Sequence, residues 1–139
     1  MVVLLVFTFL GDHFMSTKLN DLANQMILGA GLAPQTITSS TNGSSADMIT
    51  GDGPCFAIQQ VGAVSGTSPT LAGKIQESAD GSTWSDISGA TFTSVTASTN
   101  NQCIAFQRAQ RYLRWVGALG GTSPSYAVAV IVSEQKKQI

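Results

Sequence analysis

An internal repeat constrains this chain more than any other feature. VGAVSGTSPTLAGKIQES (61–78) aligns with VGALGGTSPSYAVAVIVS (116–133) at an offset of 55, with nine of 18 positions identical. CFAIQ (55–59) is echoed by CIAFQ (103–107), each upstream of its VGA strand. Each unit reads as strand, GTSP turn, strand, which is a β-hairpin. One hairpin cannot bury its apolar face stably. Two similar hairpins related by a pseudo-twofold and packed face to face can. The repeat therefore predicts a mainly β chain: a β-sandwich, jelly-roll or immunoglobulin-like in kind, built from two similar hairpin units. Two units are too few for a solenoid.

The pattern from Gly53 onward agrees. Strands are expected at 55–64, 70–78, 83–87, 91–96, 102–107, 111–119 and 125–134. Between them stand GTSP (66–69), ADGS (79–82), SG (88–89), STNN (98–101) and GGTSP (120–124), turn punctuation at sandwich spacing. In 125–134 both alternating faces are apolar, so a strand that is central in its sheet or covered on both sides is expected there.

Length and charge bound the rest. A chain of 139 residues is one domain by default. It can bury roughly 68% of its unfolded surface, enough for a core without staples. Lys+Arg is 7 against Asp+Glu 8, a balance that argues against nucleic acid as a partner. Charged residues make up 11% of the chain, whereas about a quarter is usual. In their place stand 16 Ser, 14 Thr and 14 Gly, which points to a surface largely covered by something else.

Residues 1–10, MVVLLVFTFL, are apolar apart from Thr8. Ten residues are too few to span a bilayer, which takes about 20, so no membrane partner is expected. As a signal peptide the segment lacks a basic start and a small-residue cleavage site. It reads either as a hydrophobic arm (residues 1–14) that pairs with a neighbouring subunit through Leu4, Phe7 and Phe9, or as an upstream extension of a frame starting at Met15. Residues 17–28, TKLNDLANQMIL, have Leu19, Leu22, Ala23, Met26 and Ile27 on one helical stripe. Gly29, Gly31 and Pro34 would end that helix. It lies on the core or docks on a partner through Leu22 and Met26. Residues 35–52 read as a weak hairpin around Asn42-Gly43 or as an edge loop. The expected division is thus arm 1–14, helix and polar connection 15–52, and sandwich 53–139.

No catalytic set assembles, and no enzyme activity or cofactor is expected. His13 is the only imidazole, more than 40 residues before either Cys. One His and two Cys fall short of ordinary metal sites. Asp47 and Asp52 sit near glycines, where turn shaping accounts for them better than calcium does. Cys55 and Cys103 begin the echoed strands. They read as reduced, buried thiols, with a disulfide disfavoured. Arg108, Arg111 and Arg114 form the main basic cluster. Arg111 and Arg114 suit stacking on an aromatic ring or pairing with an acid on a neighbouring chain. Trp84 and Trp115 read as packing residues or, functionally, as interface anchors or sugar-stacking platforms, with Tyr126 a further sugar-stacking candidate.

KIQESADGSTWSDI (74–87) followed by RYLR (111–114) resembles the discoidin-like carbohydrate-binding β-sandwiches. That likeness implies scaffolding more than a binding site. The pattern GDGPCFAIQ…LAGKIQESADGSTW…RYLRWVGALGGTSPS, over residues 51–125, is similar to small virion proteins of tailed bacteriophages, the head decoration or cement proteins. This resemblance implies a homo-oligomeric sandwich, dimer or trimer, on the capsid surface. It would be assembled in the host cytoplasm and clamp the major capsid protein. A carbohydrate-binding module or adhesin and a tail component are the alternatives.

Overall fold

The computed structural model describes residues 22–137. The expected arm with Leu4, Phe7 and Phe9 lies outside the described residues, as do His13 and the first part of the expected helix. A single helical turn, α1 (Leu22–Gln25), leads into β1 (Met26–Ile37). Two short strands follow, β2 (Thr41–Asn42) and β3 (Ala46–Asp47). Then come β4 (Gly51–Ser78), β5 (Ser85–Thr91), β6 (Asn100–Phe106) and β7 (Tyr112–Lys136). The described chain is mainly β, and its strands form one open antiparallel sheet. The order β1-β7-β4-β5 is its backbone, with β2 and β3 also on β7 and β6 on β4.

The helix expected over 17–28 is a correction. Met26, Ile27 and Leu28 are in β1, where they pair with Gln135, Glu134 and Ser133 of β7. Pairing overrides the helical stripe because a short apolar run carries either period. The glycines also favour the strand. A Cβ on Gly29 would meet the Cβ of Ala46 at 2.5 Å. The hairpin expected around Asn42-Gly43 is likewise absent: β2 and β3 pair with β7, not with each other.

A second correction concerns the repeat. The GTSP segments are not hairpin turns. β4 and β7 run antiparallel through both of them, from Gly51↔Lys136 to Ser78↔Tyr112. The two GTSP segments therefore face each other in mid-ladder, with Thr67 opposite Thr122. Register shifts flank them. Gly66 (φ 118°) and Ser68 (φ 48°) on β4 match Gly121 (φ 96°) and Ser123 (φ 50°) on β7. The crossing is reciprocal: a Cβ on Gly66 would meet the Ser123 carbonyl oxygen at 2.8 Å, and one on Gly121 would meet that of Ser68 at 2.5 Å. The two copies of the repeat thus lie in two strands of one ladder, not in two hairpins. Positive φ and tight contact both demand glycine here.

Bulges of this kind bend strands, and this ladder folds on itself. Its first half pairs Cys55–Val64 with Tyr126–Glu134, flanked by β1 and β6. Its second half pairs Thr70–Ser78 with Tyr112–Gly120, flanked by β2, β3 and β5. Trp115 in the second half donates its Nε1–H to Gln59 Oε1 in the first, at 3.0 Å. Both residues are fully buried. Gly73 makes room for this pair, since a Cβ there would lie 2.1 Å from Gln59 Oε1. Tyr126 sends its hydroxyl to the Val95 carbonyl at 2.8 Å, tying down the segment after β5. Leu71, Ile75, Leu113, Val128, Val130 and Val132 complete the shared core between the halves.

Candidate functional site

Because the inner faces meet, the two halves turn their outer faces in opposite directions, and these differ in chemistry. On the second half the outward residues are charged and mutually engaged. Lys74 Nζ lies 2.8 Å from Asp86 Oδ2, and Gln76 donates to Asp86 Oδ1 at 2.7 Å. Arg114 donates to Gln76 Oε1 from Nε and Nη2, at 3.0 and 2.7 Å. Its guanidinium also stacks on Trp84, 4.3 Å from the ring centroid. Arg111 grips Asp47 with two hydrogen bonds of 2.8 and 2.6 Å and lies over Tyr112. The Arg111 bond holds the Asp47 carboxyl below the usual range, and Lys74 and Gln76 do the same for Asp86.

The first half has an outer face of another kind. Antiparallel register lines its residues into rows across four strands. Leu28, Ser133, Phe56 and Ala105 form one row. Ala30, Ile131, Ile58 and Cys103 form the next, then Ala129, Gln60 and Asn101. No Asp, Glu, Lys or Arg stands in these rows. Leu28 is 71% exposed and Ile131 42%. Beyond them lies a trough of ≈ 460 Å³, lined among others by Gly62, Ala127, Ala129, Pro34, Thr36 and Asn101. At the other end a hollow of ≈ 310 Å³ is lined by Met26, Pro54, Phe56 and Ala105. The expectation of a central strand at 125–134 is met, since β1 and β4 flank it; its outward residues range from fully buried Ser133 to Ile131 at 42% exposed.

Beneath the rim of this face lies a buried knot. Glu134, its side chain 2% exposed, accepts from Arg108 Nε at 2.7 Å. Arg108 also donates to the carbonyls of Met48, Gly51 and Gln110 at 2.8, 3.0 and 2.9 Å. Gly51 is required there, since a Cβ would sit 1.8 Å from Glu134 Oε2. Neighbouring Cys55 is buried, and burial together with the Glu134 charge pushes its thiol up to about 11. Elsewhere, amides of Thr83 and Ser82 and the Ser78 hydroxyl hold Asp80 down to about 2, fixing the turn before Trp84.

The expected site residues are therefore dispersed. Met26 borders the charge-free face; the side chain of Leu22 falls outside the described part. Trp84, Arg111 and Arg114 lie on the charged face, and both arginines take partners within their own chain. Trp115 is inside the core and offers no surface to a partner or sugar. Cys55 and Cys103 are free thiols. Cys55 pairs with Phe106 and Cys103 with Ile58, so the two side chains point to opposite faces of the sheet. In dilute native protein a thiol reagent should modify Cys103 at once and Cys55 only on unfolding. Two equally fast thiols, followed by peptide mass mapping, would contradict this burial. Leu28, Phe56, Ile58 and Ile131 were not singled out from the sequence as contact residues. For Ile131 the signal was the double-sided apolar alternation of 125–134. Among the described residues no group of three or more His, Cys, Asp and Glu is placed to hold a metal ion, and no helix is long and apolar enough to cross a membrane.

No protein-family model matches the chain, and no curated protein sequence does. Solved structures give six matching chains. One belongs to the structure of infectious bursal disease virus, Gx strain, with 12% identity and a TM-score of 0.42. The match covers 82% of this chain and 37% of that one. A likeness at this level bears on neither role nor partner.

Proposed function

We propose that this chain is a structural protein of a virus particle, a decoration protein that stabilises an assembled phage shell by burying surface, without chemistry. The observation that carries the reading is the charge-free outer face. Monomeric proteins rarely leave a wide apolar face in water, and such faces mark sites of protein association. Surfaces buried permanently in assemblies are likewise depleted of charge. The resemblance of residues 51–125 to small virion proteins of tailed phages supports the same reading. A protein that binds the assembled shell and not its free subunits stabilises the shell by mass action. Particles made with the chain should melt at higher temperature than particles made without it, and should carry it in fixed stoichiometry. Equal melting and no particle-bound chain would remove the proposal.

Sugar binding has less support. Trp84 is half-buried with Arg114 stacked on it, and Gln76, Asp86 and Lys74 already bond one another. A sugar platform needs free, convergent polar groups beside its ring.

A further inference from the structure

We propose that the charge-free outer face pairs with the same face of a second copy of this chain, ridge into trough, about a twofold axis. The inference goes beyond the virion reading but concerns the same face, so the pair must open before a shell can take that face.

Three observations select that occupant. First, the rows from Leu28 to Asn101 hold no charged side chain, so a charged partner gains nothing there and loses its hydration. Second, one face carries both halves of a complementary shape. Leu28 and Ile131 stand exposed as the raised, apolar part, and Gly62, Ala127 and Ala129 line the trough. An isologous contact needs just this, because each surface must receive itself. Place the axis in the plane of the face, across the strands, between the Ile131 and Ala129 rows. The Ile131 row then lies over the second copy's Ala129 row. The Leu28 row, opposite Ser133, lies over the row of Thr36 and Ala127. Leu28 thus meets the second copy's Thr36 at the trough wall. Third, the footprint suits a reversible pair. Four strands at about 4.8 Å and seven residues at about 3.4 Å give roughly 19 by 24 Å, about 450 Å² per copy. Two copies bury about 900 Å², just under the usual minimum for a specific interface, so the dimer dissociates on dilution.

The test uses the full 139-residue chain in analytical ultracentrifugation over a dilution series. The wild type should pass from dimer to monomer, and Cys103, at the end of the Ile131 row, should label more slowly in the concentrated sample. Leu28→Asp and Thr36→Lys each place a charge on the exposed edge strand β1, where the fold tolerates it. Far-UV circular dichroism should confirm that both variants stay folded. Each alone should be monomeric throughout. An equimolar mixture should regain the dimer, because Asp of one copy then faces Lys of the other. A wild type that stays monomeric at its solubility limit overturns the proposal, as does either folded single variant that keeps the wild-type mass. A monomer with slow Cys103 would mean that residues 1–21 of the same chain cover the face instead. A dimer that fails to bind shells would remove the virion reading and leave this inference standing.

Discussion

Arg108→Ala should destabilise the fold by about 3–5 kcal/mol, the cost of leaving a buried carboxylate without its cation. Glu134 is almost wholly buried, its side chain 2% exposed, and its Oε2 has no hydrogen-bond partner in the knot. The guanidinium also satisfies three carbonyls, from Met48, Gly51 and Gln110, that no other side chain replaces. Those bonds hold the corner between β3 and β4 against the end of β7. Arg108→Lys restores charge but not the planar fork, so it should recover only part of the loss. Adding Glu134→Gln to Arg108→Ala should raise stability above the single variant, since the orphaned charge is then gone. Urea unfolding of the four proteins measures each value. A loss below about 1 kcal/mol in Arg108→Ala would mean the pair is no better than a surface ion pair.

Trp115→Ala should cost a similar amount, about 3–5 kcal/mol, by leaving a large cavity between the ladder halves. The indole is fully buried and rests against Gly117, where a Cβ would lie 2.1 Å from the ring. Trp115→Phe separates packing from hydrogen bonding. It keeps most of the ring but strips Gln59 Oε1 of its donor at 3.0 Å. A buried acceptor without a partner costs about 1–3 kcal/mol. Replacing Gln59 by Leu in the Trp115→Phe background should then recover stability, because both polar partners are removed together. Thermal melts decide the order: wild type, then the double variant, then Trp115→Phe, then Trp115→Ala. A melt of Trp115→Ala within a degree or two of wild type would show that the halves do not share this core.

Much of the strand content was legible. The alternation in 55–64, 70–78, 102–107, 111–119 and 125–134 is fixed by a buried face of period two, and each run lies largely or wholly within a strand. The repeat reads as two hairpins, and that reading fails at GTSP. Gly, Ser and Pro advertise a turn because they supply positive φ and a fixed bend. The same chemistry serves a bulge inside a continuing strand, and only the partner strand distinguishes the two. At Met26–Leu28 the two periods coincide over a few residues, and pairing with β7 settles the outcome. The Arg108–Glu134 knot had no local signal. Its members are 26 residues apart, and nothing in either neighbourhood announces burial. Trp84 and Arg114 were each singled out, but their stacking on one another depends on β4, which lies between β5 and β7 in the sheet.

β7 makes ladders with β1, β2, β3 and β4 alike. This hub is the last strand in the described chain, and that sets a timetable. During synthesis β1 to β3 have no hydrogen-bonding partner until residues 112–136 emerge, so the sheet closes late. Within the long ladder, Ser78↔Tyr112 closes the shortest loop and Gly51↔Lys136 the longest. Shorter loops cost less entropy to close. By loop-closure cost the least expensive order runs from the charged half, past the GTSP crossing, to the apolar half. In that order the sticky surface takes shape only when the rest of the fold already holds it, which limits premature association between unfinished chains.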